Sequence, residues 1–187
     1  RAAGDFAPAA IPWEIIMSIV RLYVRGVTAL NRWLAYSVAG LVYVMVAVIL
    51  YEVVSRYAFN APTVWAMESA TLLFGPYFLL AGPWLLHTKG HVAVDFVRMR
   101  LPPRAGLVLE CLTYPVIFIF AAILIAYGWP FAVNAYALGE TSFSAWNPII
   151  WPFKFAIPLA AILLLAQAVA EFLRMICTLA GHEGIAE

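Results

Sequence analysis

Four long apolar stretches organise the chain. Positions 34–51 and 69–86 each hold eighteen residues without a charge, 111–139 holds twenty-nine, and 155–170 holds sixteen between Lys154 and Glu171. A helix needs about 20 apolar residues to cross a hydrocarbon core of about 30 Å. The pattern therefore predicts four membrane spans, near 33–57, 64–86, 105–137 and 152–174. The fourth run is short and borrows the aromatic lead-in WNPIIWPF (146–153) as an interfacial belt. The third is too long for one perpendicular helix, so it tilts, kinks or emerges into water. Pro76 and Pro83 lie in the second run and Pro115 and Pro130 in the third. Each removes a backbone donor, which membrane helices tolerate as a kink.

A different periodicity precedes the first span. In WEIIMSIVRLYVRGVTALNR (13–32) the polar positions are Glu14, Ser18, Arg21, Arg25, Thr28 and Arg32, at steps of four, three, four, three and four. That is one stripe on a 3.6-period helix. The other face carries Ile15, Ile16, Ile19, Val20, Leu22, Tyr23 and Val24. A basic stripe opposite an apolar face describes a helix near 13–30 lying in the membrane interface, or docked on a partner subunit. Arg21 and Arg25, central in that stripe, are interaction candidates toward lipids or a partner. The expected fold is an all-α membrane protein of four transmembrane helices plus an N-terminal amphipathic interfacial helix. Its parts are an N-terminal segment (1–32), a four-helix domain (33–174) and a cytoplasmic tail (175–187).

Composition agrees with this class: 65% of the residues are hydrophobic and 11% charged, against roughly half and a quarter in soluble domains. A net charge of +1 gives no reason to expect a nucleic-acid partner. Cys111 and Cys177 have no metal or redox spacing. No cleavable signal peptide is expected near the start, where Glu14 and Arg21 interrupt any apolar run.

Charge sets the expected orientation. With four spans, Arg1, Arg21, Arg25, Arg32, Lys89, Arg98, Arg100, Arg104 and Arg174 share one side, and only Arg56 and Lys154 face the other. Nine against two predicts that both termini and the 87–104 loop face the cytoplasm. That accounts for the basic residues of HTKGHVAVDFVRMRLPPR (87–104), but not for His91 and Asp95.

Candidate chemistry is sparse. Glu52 and Arg56 are four apart at the end of the first span, in the favourable order for a helical ion pair. Glu68 opens the second span on the same side. Carboxylates deep in a membrane are costly, so these three are expected to form a polar latch there, or to sit at the headgroups. His87 and His91 are four apart, which invites a metal or haem. The intervening lysine and glycine at the edge of a span argue against it, and no cofactor is expected. His91 and Asp95 are instead expected to bond each other or nearby backbone and fix the turn after the second span. Gln167 and Asn134 are polar groups that bond across helices in such proteins. No nucleophile with a base, paired catalytic carboxylates or phosphate loop is present, so no enzyme is expected.

Several motifs occur in order: SRYAFNAPTVWAMES (55–69), GHVAVDFV (90–97), LPPR (101–104), and Gly139–Glu140 before WPFKFAIPLA (151–160). Together, across about 30–174, they resemble the small membrane subunit of tripartite ATP-independent periplasmic (TRAP) transporters. The proline-rich GPYFLLAGPW (75–84) and the long N-terminal helix depart from that pattern. The resemblance implies a scaffold without substrate of its own. It would pack beside a large membrane transport subunit, which moves small organic anions inward with sodium after a periplasmic binding protein delivers them. Two other readings are an accessory subunit of another inner-membrane complex and a membrane anchor of a redox enzyme. The second needs ligands within the bilayer that this chain lacks. Alone, the chain is expected to transport nothing.

Overall fold

The computed structural model describes residues 13–88 and 103–179. Its described elements are helical: α1 (Trp13–Ala58), α2 (Ala66–His87), α3 (Pro103–Ala137), the single turn α4 (Trp151–Lys154) and α5 (Ala156–Leu179). Four spans are long and apolar enough to cross a membrane: Met17–Ala58, Ala66–His87, Thr113–Ala137 and Trp151–Cys177. The fold is the all-α, four-span architecture read from the apolar runs.

One boundary differs from expectation. The amphipathic segment and the first span are not two helices but one, of 46 residues. At 1.5 Å per residue it is about 69 Å long, more than twice a hydrocarbon core. The reason is local: LNRWLAYSVA (30–39) contains no glycine or proline, so nothing ends the helix where its polarity changes. Likewise α5 runs on past Arg174 to Leu179. The interior prolines of α2 and α3 leave their helical runs unbroken. Pro158 does interrupt: it has no N–H for the carbonyl of Lys154, and the fourth span divides at Phe155 into α4 and α5.

Packing follows a repeat hidden inside the apolar run. Met17, Val24, Asn31, Val38, Met45 and Glu52 stand seven apart along α1, and all six are buried. A seven-residue repeat on a 3.6-residue helix favours left-handed wrapping around neighbours. The neighbours are α2 and α5. On α3, Tyr114, Ala121, Gly128 and Ala135 form a second buried row at the same spacing, against α5. Small residues let backbones approach closely. A Cβ on Gly128 would lie 3.1 Å from Ile157 Cγ2, which is why glycine stands there. The Tyr114 and Phe118 rings meet Phe172 at 5.5 and 5.8 Å nearer the far end of the same seam. Helix α5 is the centre: the apolar stretch of the fourth span is 44% buried, against 17% or less for those of the others.

Candidate functional site: polar clusters at the two ends of the bundle

At one end of the bundle lie the turns joining α1 to α2 and α3 to α4. Glu52, in the last buried position of the α1 row, is 3% exposed. Its Oε1 accepts from the Arg56 guanidinium, with the Arg56 Nε at 2.9 Å. Its Oε2 accepts from the Thr63 backbone N–H at 3.0 Å and from the Thr63 hydroxyl. One carboxylate thus closes the turn after α1, helped by Asn60 in the left-handed region (φ 54°) and by Tyr51 stacked on Trp65.

Glu68 does not join this pair. Its Oε2 accepts from the Ser144 hydroxyl at 2.6 Å, in the loop between α3 and α4. The three-residue latch is therefore two separate ties. The Arg56 guanidinium is turned onto Glu52, four residues before it on the same helix, and Glu68 finds its donor in Ser144 instead. The 138–150 loop is itself strongly built. Helix α3 ends in a Schellman motif, with Gly139 at φ 57°, its N–H on Tyr136 O and the Glu140 N–H on Ala135 O. A Thr141–Ile149 bridge pairs the loop's arms. Lys154 Nζ donates to Glu140 at 2.6 and 2.7 Å and lies 4.2 Å from the Phe131 ring centre.

The opposite end joins three helices. Gln167 is fully buried on α5. Its Oε1 accepts from Asn31 Nδ2 of α1 at 2.8 Å. Its Nε2 donates to Glu171 Oε1 at 2.9 Å and to Thr28 Oγ1 at 3.3 Å. The same Glu171 oxygen meets His87 Nδ1 of α2 at 2.6 Å, and Arg174 approaches it at 3.6 Å. Tyr23 donates to the Ala166 carbonyl at 3.1 Å. Asn31 Oδ1 is the one buried side-chain polar atom, among the described residues, without a partner. Beside this network a cavity of about 400 Å³ opens between α1, α2 and α5, lined by Val24, Arg25, Arg32, Trp84, His87 and Arg174 among others.

The sequence candidates thus divide. Glu52 and Arg56 meet; Glu68 is engaged elsewhere. Arg25 lines the cavity, whereas Arg21, on the same stripe, is exposed and is not among its lining residues. His91 and Asp95 lie outside the described residues. Gln167 bonds across helices, whereas Asn134 is exposed, its backbone carbonyl accepting from Leu138. Sequence reasoning missed Asn31 and Glu171 as partners of Gln167. The signal for Asn31 was its seven-residue register with Val24 and Val38. Among the described residues no group of three or more His, Cys, Asp or Glu side chains is placed to hold a metal.

A family model described as "Tripartite ATP-independent periplasmic transporters, DctQ component" matches residues 45–178. The match takes in the whole cluster at the turn end. Of the other end it takes in α2 and α5, but not Asn31, Arg25 or Arg32 of α1. No curated protein gives a significant match to the chain.

Proposed function

Since this chain belongs to the DctQ-component family of tripartite ATP-independent periplasmic transporters, we propose that, as the small membrane subunit, it acts as a scaffold for a large transport subunit and moves no solute itself. The observation that carries this reading is where its buried polar groups lie. Among the described residues, the buried polar or charged side chains are Asn31, Glu52, Gln167 and Glu171, all toward the bundle ends. The middle is lined by residues such as Val38, Met45, Ala121, Gly128, Ala160 and Leu163. A solute pathway needs polar groups near the midplane, often on broken half-helices. Apolar faces carrying Tyr43, Leu50, Phe78, Ile119 and Ile123 point outward instead, and such faces pack on a membrane partner by van der Waals contact.

In this proposal the large subunit carries out sodium-coupled uptake of small organic anions delivered by a periplasmic binding protein. The turn end, with its fixed loops, faces the periplasm; both termini and the 87–104 loop face the cytoplasm, as the nine-to-two distribution of basic residues favours.

Purification in mild detergent should bring down the large transport subunit, and liposomes holding this chain alone should show no sodium-driven uptake. Recovery of a different membrane complex would make the chain an accessory subunit there. Uptake by the chain alone would overturn the scaffold reading. Thiol labelling of single cysteines at 90–100 from the periplasmic side would reverse the orientation.

A further inference from the structure

We infer that the outer side of α1 is the seat for one long helix of the large transport subunit, an inference that rests on the scaffold reading above. From Ile15 to Tyr57, the positions at alternating steps of four and three residues are all exposed. At about 100° per residue they lie across the helix from the buried row that begins at Met17. Four-and-three spacing is the seam of a left-handed helix pair.

Three features separate this seam from a surface made for acyl chains. The first is glycine. Gly26 and Gly40 lie in it, and a Cβ on either would meet nothing within 4 Å. Glycine is unfavourable in a helix interior, and packing inside this chain gives no reason for it; close approach of another helix does. The second is depth. Asn31 and Glu52, at the two ends of the bundle, are 21 residues apart, about 32 Å of helix and close to the thickness of a hydrocarbon core. Tyr43 stands between them, 80% exposed, and makes no hydrogen bond among the described residues. About 14 Å along the axis from Glu52, its hydroxyl has no acceptor in hydrocarbon, whereas a neighbouring helix supplies one. The third is length. Ile15, Ile19 and Leu22 continue the seam, exposed, and Ile19 stands about 18 Å beyond Asn31 along the axis. That is past the reach of lipid tails, and apolar rows exposed there mark a protein contact. The outer row of α3 differs: Val116, Ile119, Ile123 and Val133 are aliphatic and suit lipid as well as protein.

A second copy of this chain does not fit the seat. Two copies in one membrane run parallel, so equal positions meet across the seam. Trp33 and Tyr36 would each face their own bulk, one to two turns from Gly40, where the backbones would have to close in. Well-packed layers set large side chains against small ones. A different helix meets that condition, with small residues opposite Trp33 and Tyr36, larger ones opposite Gly26 and Gly40, and an acceptor at the depth of Tyr43. Like α1, it leaves the bilayer at the arginine-rich end.

The chain and the large subunit, coexpressed and purified together in mild detergent, test the seat. Gly40→Leu should lower recovery of the large subunit roughly tenfold, through overpacking at the contact. The chain alone should be at least as stable to chemical unfolding, since leucine is the better helix former. Gly26→Leu should act in the same direction. Tyr43→Phe, which removes one hydroxyl, should lower recovery about threefold, the loss of an average interhelical hydrogen bond. Photoreactive benzoylphenylalanine in place of Tyr36 should cross-link to the large subunit, and in place of Val116 it should not. Equal recovery by wild type and Gly40→Leu would overturn the seat. So would adducts from position 116 with none from 36, or adducts from 36 to a second copy of this chain. Failure of the wild-type chain to retain the large subunit would instead overturn the scaffold reading itself, and the seat with it.

Discussion

The two ends of this bundle solve the same problem, placing polar groups next to a membrane, by opposite means. At the turn end most ties are local: Glu52 reaches Arg56 and Thr63, and Glu140 reaches Lys154. Each closes one turn, and among the described residues only the Glu68–Ser144 hydrogen bond at this end links distant elements. At the arginine-rich end the ties are long-range: Tyr23 to Ala166, Asn31 to Gln167, His87 to Glu171. They connect three helices through the fully buried Gln167 side chain. The difference teaches where each kind of stability resides. A local tie that fails loosens a loop, whereas a failure in the three-helix network unseats α1 from α5. The family match covers the first arrangement whole and the second only in part, since α1 before position 45 lies outside it.

The comparison breaks most directly at Gln167. Gln167→Leu leaves Asn31 without its remaining bond and removes a donor from Glu171. The expected cost is about 3 kcal/mol, because the orphaned buried groups carry their desolvation penalty. Asn31→Leu/Gln167→Leu should be less damaging than Gln167→Leu alone, since replacing both partners leaves fewer orphans. Chemical unfolding in detergent measures both. A double variant as unstable as the sum of its single variants would mean that the Asn31–Gln167 bond is not the tie described.

The next effect lies between the ends. Gly128→Leu would push a large side chain into Ile157, where even a Cβ meets a methyl at 3.1 Å. Overpacking of this kind costs about 2 kcal/mol, and cysteine cross-linking across the α3–α5 seam should lose efficiency. If Gly128→Leu destabilises more than Gln167→Leu, close helix contact rather than the polar network holds the bundle.

What could be read in advance follows the same division. The four spans were legible because their apolar runs are long and the charges fall between them. The Glu52–Arg56 pair was legible because its spacing is local. The unbroken α1 was not: a change of polarity at Arg32 looks like a boundary, but only glycine, proline or a cap ends a helix. Asn31 was hidden because in a membrane both faces of a helix are apolar, so a row of Met, Val, Asn, Val, Met and Glu gives no contrast to a hydrophobicity pattern. The Glu68–Ser144 bond was not legible because the position of Ser144 depends on Phe143 and Asn147 holding φ of 54° and 51° in the α3–α4 loop, a local fold that composition does not announce.

A smaller effect is expected at Glu52. Glu52→Gln keeps an acceptor for Thr63 but loses the charge that holds Arg56. The helices should stay in place while the turn after α1 opens more often. Hydrogen exchange at the Thr63 amide, which donates to this carboxylate, should accelerate, with little change at Gln167. Parallel acceleration at both ends would show that the ends are not independent.

The smallest expected effect is a coupling close to zero. Arg56 and Glu68 have opposite charges at the same end of neighbouring spans, which makes them look like a pair. Their bonds go elsewhere: Arg56 to Glu52, Glu68 to Ser144. Groups that share no partner add within about 0.3–0.5 kcal/mol in a double-mutant cycle. Arg56→Ala, Glu68→Ala and the double variant, compared by chemical unfolding, should therefore be additive within that range. A Glu68→Ala/Ser144→Ala cycle serves as the positive case, because those two side chains bond directly. Strong coupling of Arg56 to Glu68, with none between Glu68 and Ser144, would restore a single three-residue latch and reduce the contrast between the two ends to one of charge alone.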